Sequence, residues 1–545
     1  MDTPALIANL LQPDAYPHPV DGVRLIETHI SWVLIAGDFA YKLKKPLDLG
    51  FLDFSTLEKR RHFCEEEIRL NRRLAPTLYL AVVAVTGSPA APRIGGDGPV
   101  LEWAVRMRAF PPEATLDRAS QLTAAQIDAI ADAVARFHQS LPSAAADTAY
   151  GEPEAVLQPA RENFRQIREL LPSPAGGGEG AEGRHAAEVS EANTLTPTRY
   201  PRGHESRQES AHCLDLLDTL ESWSEAEGKR LAARFAQRKQ SGCIRECHGD
   251  LHLGNIAWVD DAPLIFDCIE FNPGLRWIDV LSELAFLFMD LRQRERPDLA
   301  WRLLNRYLEH TGDYAGLAVF RFYLVYRALV RAKVSAIRAL QAQAGTDELE
   351  RYLALAGCLS RPGRPRLWLT HGVTGSGKTW LAQQLLEQRG AVRLRSDVER
   401  KRLFGLAALE DSRRIPGGIY TESAGSRTYQ RLHELARQLL LAGFEVIVDA
   451  TFLKQAQRAP FLQLAEQLQL PVHILALQAD PAQLRQRVAA RLARADDASE
   501  ADLTVLAAQL RQIEPFTDAE SRQVRLFRAE DSADWAQRLR ELVPP

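Results

Sequence analysis

The most restrictive feature of the sequence is the loop "GVTGSGKT" at 372–379, which stands between an apolar strand and an amphipathic helix. Its glycines allow backbone N–H groups to close around phosphate oxygens, and the helix N-terminus adds the positive end of its dipole. This pattern predicts that Lys378 reaches the β- and γ-phosphates of ATP and that the Thr379 hydroxyl binds Mg²⁺. The predicted ATP-binding residues of the loop are Gly372, Gly375, Ser376, Gly377, Lys378 and Thr379.

The length of 545 residues predicts more than one domain, because single hydrophobic cores stop growing beyond roughly 250–300 residues. The clearest boundary is "SRPGRPR" at 360–366, after which strand, loop and helix patterns repeat. We therefore predict a linker at 359–366 and an α/β P-loop NTPase unit with a parallel sheet at 367–545. Residues 1–358 form the other predicted domain. Within it, residues from about 172 to 212 are poor in apolar side chains, which predicts a disordered insertion.

The first domain is predicted to be α+β, with a strand-rich lobe at about 20–110 and a helical lobe at about 111–358. Residues 24–45 have the pattern of strands around a turn at Gly37-Asp38, and "LYLAVVAV" and "VLEWAVRMRAF" add a strand pair. Between them, "STLEKRRHFCEEEIRLNRRLA" has helical spacing, with Ser55 or Thr56 as its N-cap. We expect a mixed sheet packed against this one prominent helix.

The composition limits the possible partners of the chain. A net charge of −4 gives no basic field of the kind that dominates nonspecific nucleic-acid binding. The apolar stretch "VLSELAFLFMDLRQR" is interrupted by Glu283 and Asp290, so we expect no membrane-spanning segment and no membrane partner. The N-terminus lacks the features of a signal peptide, and the six cysteines are scattered without a framework. These features predict a cytoplasmic protein.

A second group of polar residues stands in "CHGDLHLGNI" at 247–256. Asp250 and Asn255 are five positions apart, and a hairpin-like stretch then leads to Asp267. Protein kinases space their catalytic aspartate and a Mg²⁺-binding asparagine in the same way, and a second metal-binding aspartate follows them. The spacing therefore indicates phosphoryl transfer from ATP.

Together, "HGDLHLGN" and "IFDCIEFN" resemble the aminoglycoside phosphotransferase family, which has the protein-kinase-like fold. The resemblance covers roughly residues 20–355. It implies that Asp250 is the catalytic aspartate, that Asn255 and Asp267 are metal ligands, and that His248 and His252 are structural members of the loop.

The same resemblance calls for a strand lysine that binds the ATP phosphates and a helix glutamate that orients it. The stretch "DFAYKLKK" offers Lys42 and Lys44 on one strand face, and Lys42 is preferred because "FAYK" matches the V-A-I-K pattern. Glu67 is the preferred partner, with Glu66 as the alternative. No G-x-G-x-x-G precedes the lysine strand, where "ETHISWVL" stands instead.

Further polar residues of the second half follow its predicted strands. Ser396-Asp397 comes directly after a strand, Arg400 follows one turn later, and "FEVIVDATF" ends an apolar strand in Asp449, a Walker-B-like carboxylate for the metal. The stretch "LRQRVAARLARADD" places arginines on a helix, from which they can stabilise charge on a transferred phosphoryl group. From the residues alone, Asp397 can equally be a helix N-cap, and each arginine can lie on a solvated face.

This half resembles P-loop kinases of the polynucleotide-kinase, gluconate-kinase and zeta-toxin type. The resemblance implies that Asp397 accepts the proton of the substrate hydroxyl and that Arg400 contacts the substrate. It also implies that Arg491 or Arg494 acts as a lid arginine.

The layout of the whole sequence resembles that of bacterial proteins described as fused aminoglycoside-phosphotransferase and ATP-binding proteins, which implies a bacterial source. The two motif groups predict a phosphotransferase with two ATP and Mg²⁺ sites that acts on hydroxyl groups of small molecules. For the second half, a nucleotide or oligonucleotide is a further candidate acceptor. One alternative is a P-loop kinase controlled by a kinase-like domain that only binds a ligand. Another is a toxin-like or switch-like ATPase module that acts on a partner.

Overall fold

The computed structural model describes residues 4–50, 52–171, 204–342, 346–494 and 497–542. The chain forms two compact units, the first made of Met1–Tyr150, Lys239–Leu291 and Arg302–Gly312, and the second made of Gly151–Arg238, Arg292–Trp301 and Asp313–Pro545. The first unit contains "CHGDLHLGNI" and the second contains the phosphate loop. Most of the predicted insertion, residues 172–203, lies outside the described residues, and residues 204–212 belong to a long helix.

The elements are numbered in chain order. The strands are β1 (Val23–Glu27), β2 (Ser31–Ala36), β3 (Phe39–Lys44), β4 (Tyr79–Ser88), β5 (Ala91–Ile94), β6 (Val100–Arg108), β7 (Ile244–Glu246), β8 (Ile256–Val259), β9 (Ala262–Ile265), β10 (Trp277–Asp279), β11 (Leu367–His371), β12 (Ala391–Arg395), β13 (Glu445–Asp449), β14 (Val472–Gln478) and β15 (Val524–Arg528). The helices are α1 (Ala5–Leu10), α2 (Leu57–Asn71), α3 (Ala124–Ser140), α4 (Pro153–Leu170), α5 (His204–Gln240), α6 (Pro273–Arg276), α7 (Val280–Gln293), α8 (Pro297–Thr311), α9 (Leu317–Ala342), α10 (Asp347–Ser360), α11 (Lys378–Arg389), α12 (Ser396–Leu403), α13 (Glu422–Leu441), α14 (Gln455–Gln467), α15 (Pro481–Arg494), α16 (Leu503–Arg511), α17 (Asp518–Ser521) and α18 (Trp535–Leu542).

The strand-rich lobe is a six-stranded sheet in the order β1-β2-β3-β6-β4-β5. Every pairing in it is antiparallel, so the expectation of a mixed sheet is wrong. The physical reason is that short turns join β1 to β2, β2 to β3 and β4 to β5, whereas a parallel pair needs a long crossover connection. Strand β3 lies inside the sheet between β2 and β6, which fixes the lysines that it carries.

Helix α2 packs on this sheet and confirms the predicted prominent helix. Thr56, one of the two expected N-caps, accepts a hydrogen bond from the backbone N–H of Lys59 at 3.2 Å. Cys64 and Ile68 belong to an apolar cluster that includes Tyr79 of β4 and Val105 of β6. The same face of the helix buries Glu67, a charged side chain that requires partners in the sheet.

Two small antiparallel pairs frame the "CHGDLHLGNI" stretch. Strand β7 precedes the stretch and pairs with β10, while β8 begins directly after Asn255 and pairs with β9. Asp267 follows β9 by two residues. The chain therefore returns along the β8–β9 hairpin to the loop that carries Asp250.

The sheet of the second unit is five-stranded and fully parallel, in the order β12-β13-β11-β14-β15. This confirms the predicted parallel sheet. In open parallel sheets, ligands bind outside the carboxyl ends of the strands. The phosphate loop follows β11, Ser396 and Asp397 follow β12, and Asp449 ends β13, so all these residues lie at the same edge.

No helix within the described ranges has both the length and the apolar character that crossing a bilayer requires.

Helix α11, which follows the phosphate loop, offers a direct test of the core of the second unit. Leu385 is fully buried in a cluster with Trp368, Leu475 and Trp535. We predict that Leu385→Ala lowers the free energy of unfolding by about 2–5 kcal/mol, because it removes methyl groups and leaves a cavity. Chemical denaturation measures this change. The matched control is Leu441→Ala at the exposed end of α13, where the side chain is 59% exposed and the expected change is under about 0.5 kcal/mol. Equal effects of the two substitutions would contradict the buried position of α11.

Candidate active sites

In the first unit, the loop between β7 and β8 brings Asp250 and Asn255 together. Asn255 Nδ2 donates to the backbone carbonyl of Asp250 at 3.0 Å and to its Oδ2 at 3.1 Å. The Nε2 of His252 lies 3.4 Å from the same Oδ2, and its Nδ1 accepts a hydrogen bond from Gly254 N. Because the amide nitrogen of Asn255 is used to hold Asp250, its amide oxygen is the atom that can bind a cation.

A buried carboxylate holds the backbone of this loop. Glu283 on α7 accepts hydrogen bonds from His248 N at 3.0 Å and Gly249 N at 2.7 Å, and its Oε1 lies 3.0 Å from His138 Nε2. Gly249 has φ +91°, and a Cβ atom there would lie 2.9 Å from the backbone oxygen of Leu275. Only glycine fits this conformation and this space without strain, which explains its place directly before Asp250.

His248 is fixed as a neutral ring inside the loop. Its Nε2 lies 2.8 Å from the backbone oxygen of Phe266, and its Nδ1 accepts a hydrogen bond from Asp250 N at 3.3 Å. Burial lowers the pKa of His248, which favours the uncharged form. Both predicted loop histidines therefore contact the backbone or side chain of Asp250 and orient it.

Asp267 is placed by the chain after β9. Its backbone lies in the left-handed region with φ +65°, and its N–H donates to the Tyr79 hydroxyl at 3.1 Å. The next residue, Cys268, donates its N–H to Asn71 Oδ1 of α2 at 2.8 Å. The Asp267 side chain is 46% exposed, so it remains accessible from solvent.

Two lysines of β3 share the carboxylate of Glu67. Lys42 Nζ lies 2.9 Å from Glu67 Oε1 and 2.5 Å from Asp267 Oδ1. Lys44 Nζ lies 2.7 Å from Glu67 Oε2 and also contacts Glu270. Lys44 is 1% exposed and Lys42 is 12% exposed, so Lys42 is the lysine that reaches the accessible carboxylate of Asp267.

The charges in this group stabilise one another. Burial alone would raise the pKa of Glu67, but the charges of Lys42 and Lys44 lower it to about 2. Burial alone would lower the pKa of Lys42, but Asp267 and Glu67 raise it well above its ordinary value. Glu66, the alternative helix glutamate, instead binds Arg69 and lies 3.5 Å from Arg276. Glu67 is therefore the glutamate that contacts the strand lysines.

In the second unit, the phosphate loop has the backbone conformation that its glycines predict. Gly372, Gly375 and Gly377 all have positive φ, at 147°, 79° and 99°. Lys378 Nζ donates to the backbone oxygen of Val373 at 2.8 Å, so its side chain lies across the loop. Ser376 Oγ is buried and has no hydrogen-bond partner. An incoming phosphate would supply acceptors for such donors.

Asp449 stands at the end of β13 beside the loop. The Thr379 hydroxyl hydrogen-bonds to its carboxylate. The Asp449 Oδ2 is buried, has no hydrogen-bond partner among the described residues, and lies 4.0 Å from Arg395 Nε. Burial raises the pKa of Asp449, and the charges of Arg395, Arg393 and Lys378 oppose that rise. An orphaned carboxylate oxygen next to a hydroxyl fits Mg²⁺, which prefers oxygen ligands.

A cavity of about 690 Å³ opens over the phosphate loop. Asp397 lines it from the first turn of α12, and the N-cap of that helix is Arg395, so Asp397 is not the cap. Among the described residues, the Asp397 side chain has no hydrogen-bond or ion-pair partner. Arg400 lines the same cavity with its guanidinium 4.7 Å from the Tyr420 ring centroid.

Helices α15 and α16 cover the loop side of this cavity. Arg491 donates to Thr374 Oγ1 at 3.1 Å and to the backbone oxygen of Ala501 at 2.6 Å. Gln509 accepts a hydrogen bond from Thr374 N at 2.7 Å. Arg487 and Arg494 also line the cavity, so the arginine-rich helix presents three guanidinium groups to the loop.

Several of these contacts were not foreseen from the sequence. One is the ion pair between Lys44 and Glu270. Another is the set of hydrogen bonds that Glu283 accepts from His248 N and Gly249 N, which we call the Glu283 clamp. The others are the contacts of Asn71, Tyr79 and Gln509 and the place of Trp380 in the cavity lining. Glu270 was visible as part of "IFDCIEFN", but its lysine partner is far away in sequence. The other residues carry no local sequence signal, because their roles depend on chain segments that meet only in the folded protein.

The Glu283 clamp predicts a pH dependence of stability. Burial would raise the pKa of Glu283, but its hydrogen bonds with the His138 side chain and with the backbone N–H of Gly249 lower it from 4.5 to about 2. A lowered pKa stabilises the fold above pH 4.5, and this contribution is lost as the pH falls toward about 2. We predict that Glu283→Gln destabilises the protein by about 1–3 kcal/mol at neutral pH and by progressively less toward pH 2. Urea unfolding across this range measures the difference.

The exposed Glu113 provides the control for that measurement, because Glu113→Gln removes a carboxylate at the surface. A wild-type advantage over Glu283→Gln that stays constant from pH 7 to pH 2 would contradict the clamp.

Trp380 predicts an optical signal for nucleotide binding. It directly follows Thr379, is 48% exposed, and lines the cavity together with Trp535, whose ring centroid is 5.6 Å away. We predict that MgATP changes the tryptophan fluorescence and that Trp380→Phe removes most of the change. A fluorescence titration measures it, with Trp301→Phe as the control, since Trp301 does not line this cavity. An unaltered signal in Trp380→Phe would place the nucleotide elsewhere.

Solved structures resemble each part of the chain separately. The amicoumacin kinase hAmiN, in complex with AMP-PNP, Ca²⁺ and Ami, is 12% identical, covers 65% of this chain and 91% of its own, and has a TM-score of 0.37. A gluconokinase from Sinorhizobium meliloti 1021 is 18% identical and covers 33% of this chain and 94% of its own, with a TM-score of 0.24. The folds themselves follow from the site geometry and strand orders above: protein-kinase-like in the N-terminal part and P-loop in the C-terminal part. The two folds together support the assignment of the chain as a phosphotransferase in general.

The family described as "AAA domain" matches residues 367–516, which contain the phosphate loop, Asp397 and Asp449. Over 507 residues, the chain is 32% identical to the "Uncharacterized protein Rv2004c" of Mycobacterium tuberculosis, covering 91% of this chain and 92% of that protein. The chain therefore belongs to the same family as this mycobacterial protein, along almost its entire length.

Proposed function

We propose that the chain is an ATP-dependent phosphotransferase with two nucleotide sites, each of which transfers the γ-phosphoryl group to a hydroxyl group of a small molecule. The observation that carries the proposal is that each half has its own complete set of groups. Each set contains a lysine for the phosphates, an oxygen ligand for a metal, and a separate carboxylate for the acceptor.

In the first unit, we assign Lys42 to the ATP phosphates and Glu67 to the orientation of Lys42. Asn255 and Asp267 would hold Mg²⁺ through their side-chain oxygens, a donor set that suits a hard cation. Asp250 would accept the proton of the acceptor hydroxyl. The hydrogen bonds from Asn255 and the contact with His252 support this role, since they fix the direction of the Asp250 carboxylate.

In the second unit, we assign Lys378 and the backbone of Gly372, Gly375, Ser376 and Gly377 to the phosphates. Thr379 and Asp449 would hold Mg²⁺, and the orphaned Oδ2 of Asp449 supports this fit. Asp397 would accept the acceptor proton, and its position in the cavity without a hydrogen-bond partner among the described residues supports that role.

The transfer step is the same at both sites. The carboxylate of Asp250 or Asp397 takes the hydroxyl proton as the acceptor oxygen forms its bond to the γ-phosphorus, and the bond to the β,γ-bridging oxygen breaks to release ADP. Mg²⁺ held by the ligands assigned above would supply positive charge to the phosphate oxygens. In the second unit, Arg491 and Arg494 would place positive charge on the transferred group. Arg400 would contact the acceptor.

We also propose a reducing, cytoplasmic location. Among the described residues, which include all six cysteines, there is no disulfide bond, and most of the cysteines are buried, which suits a compartment in which thiols are kept reduced.

The two active sites are separable by substitution. We predict that Asp250→Asn and Asp397→Asn each lower one transfer activity about 10²–10⁴-fold and leave the other intact, because each removes one general base. The measurement is transfer from γ-labelled ATP to a panel of small hydroxyl compounds and oligonucleotides. Asp260→Asn is the control, since Asp260 lies in the turn between β8 and β9 at φ +49°, a conformation that asparagine tolerates.

Two results would contradict the proposal. Loss of all transfer in Asp397→Asn with no change in Asp250→Asn would favour a kinase-like domain that only binds a ligand. ATP hydrolysis without transfer to any acceptor in the wild type would favour a switch-like ATPase module.

A further inference from the structure

A second cavity of about 850 Å³ continues from the one over the phosphate loop. The two cavities share five lining residues, which are Arg400, Tyr420, Tyr429, Thr451 and Gln509. The second cavity does not reach Lys378 or the glycines of the loop; helices α13, α14 and α16 line it instead. A molecule with its hydroxyl at Asp397 can therefore extend past Arg400 into a space separate from the nucleotide phosphates.

Arg400 lies where the two cavities meet, and one N–H donor of its guanidinium makes no hydrogen bond with a described residue. Its Nε is buried and has no hydrogen-bond partner, and among the described residues its guanidinium forms no ion pair. The guanidinium lies 4.7 Å from the centroid of the Tyr420 ring. A buried guanidinium N–H without an acceptor is costly, and an anion in the cavity would remove that cost.

The second cavity carries an excess of positive charge. Besides Arg400, it is lined by Lys454, which forms no ion pair with a described residue. Among the described residues that line it, the only carboxylate is that of Glu422, in the first turn of α13. Charges of one sign in a cleft favour a ligand of the opposite sign.

Aromatic rings form another part of the wall. The Tyr429 hydroxyl lies 3.2 Å from Thr451 Oγ1 and accepts a hydrogen bond from Phe452 N, so the ring is held in place. Phe461 lies opposite His433 with its ring centroid 5.4 Å away. These rings offer flat apolar surface beside the cationic groups.

We propose that this second cavity is the acceptor pocket of the P-loop unit and that it takes a small hydroxyl compound carrying an anionic group, bound by Arg400 and Lys454. The inference rests on the proposed function, because it places the reacting hydroxyl at Asp397. A cavity of about 850 Å³ has the size of a site for a small molecule. The anionic group can be a carboxylate, as in a sugar acid, or a phosphate, as in a sugar monophosphate.

The experiment uses the full chain with Asp250→Asn, which silences the first unit. Transfer from γ-labelled ATP is measured to four sets of acceptors of equal carbon number: sugar acids, sugar monophosphates, neutral polyols and amino alcohols. We expect kcat/KM for one of the anionic sets to exceed that for neutral and cationic acceptors at least tenfold. The better of the two anionic sets identifies the anionic group.

Substitutions then locate the anion. Arg400→Gln is expected to raise KM for the anionic acceptor at least tenfold more than it raises KM for neutral polyols, with Arg400→Lys recovering part of the loss. Lys454→Gln is expected to have a smaller effect in the same direction. Arg437→Gln is the matched control, since Arg437 is exposed on α13 and lines neither cavity.

Failure of the anionic-pocket inference and failure of the proposed kinase function give different results. Efficient transfer that prefers neutral or cationic acceptors, or an Arg400→Gln protein that loses all acceptors equally, would overturn the anionic pocket and leave the kinase function intact. A protein that binds MgATP by tryptophan fluorescence but phosphorylates no acceptor would overturn the kinase function of this half and the inference with it.

Discussion

The buried charges around Glu67 in the first unit depend on a single constraint: a carboxylate removed from water must be paired with a positive charge. Glu67 has no contact with solvent, and it satisfies this constraint by bridging Lys42 and Lys44. The bridge joins helix α2 to strand β3, and through Lys44 and Glu270 it also joins both to the chain segment that carries Asp267. Removing one member would leave an unpaired buried charge, which costs far more than the pair gains. Helix α2, strand β3 and the segment that carries Asp267 are therefore held in one arrangement by these charges.

The same constraint acts on the loop that carries Asp250, where the buried carboxylate is paired. Around the phosphate loop, some buried polar atoms have no hydrogen-bond partner among the described residues. Glu283 is buried and fully used, since it holds two backbone N–H groups ahead of Asp250 and contacts His138. Among the described residues around the cavity of the second unit, several buried polar atoms instead have no hydrogen-bond partner, including Ser376 Oγ, Asp449 Oδ2 and Arg400 Nε. Buried polar groups are usually hydrogen-bonded, so such atoms beside a cavity can make contacts with a ligand.

The local sequence was sufficient for most of the elements. An α2 N-cap at Ser55 or Thr56, strands in residues 24–45, "LYLAVVAV" and "VLEWAVRMRAF", and the strand–loop–helix at 367–389 were predicted, and the structure confirms them with Thr56 as the cap. The short strand β5 was not predicted. The sheet of the first lobe was predicted as mixed and is antiparallel, because periodicity identifies a strand but not the direction of its neighbour. The division into domains at 359–366 and the roles of the individual site residues stay predictions.

The sequence by itself determined that the chain has a phosphate loop and a separate Asp–Asn–Asp group, because both are written in contiguous or nearly contiguous residues with fixed spacing. Only the tertiary structure decided which lysine contacts Asp267. Lys42 and Lys44 lie on the same strand face, but Lys44 is more deeply buried and Lys42 reaches Asp267. The tertiary structure also decided that Arg400, Tyr429 and Phe461, from three different helices, line one cavity. Spacing along a chain fixes the direction of neighbouring side chains, but burial and charge pairing depend on segments that meet only when the chain folds.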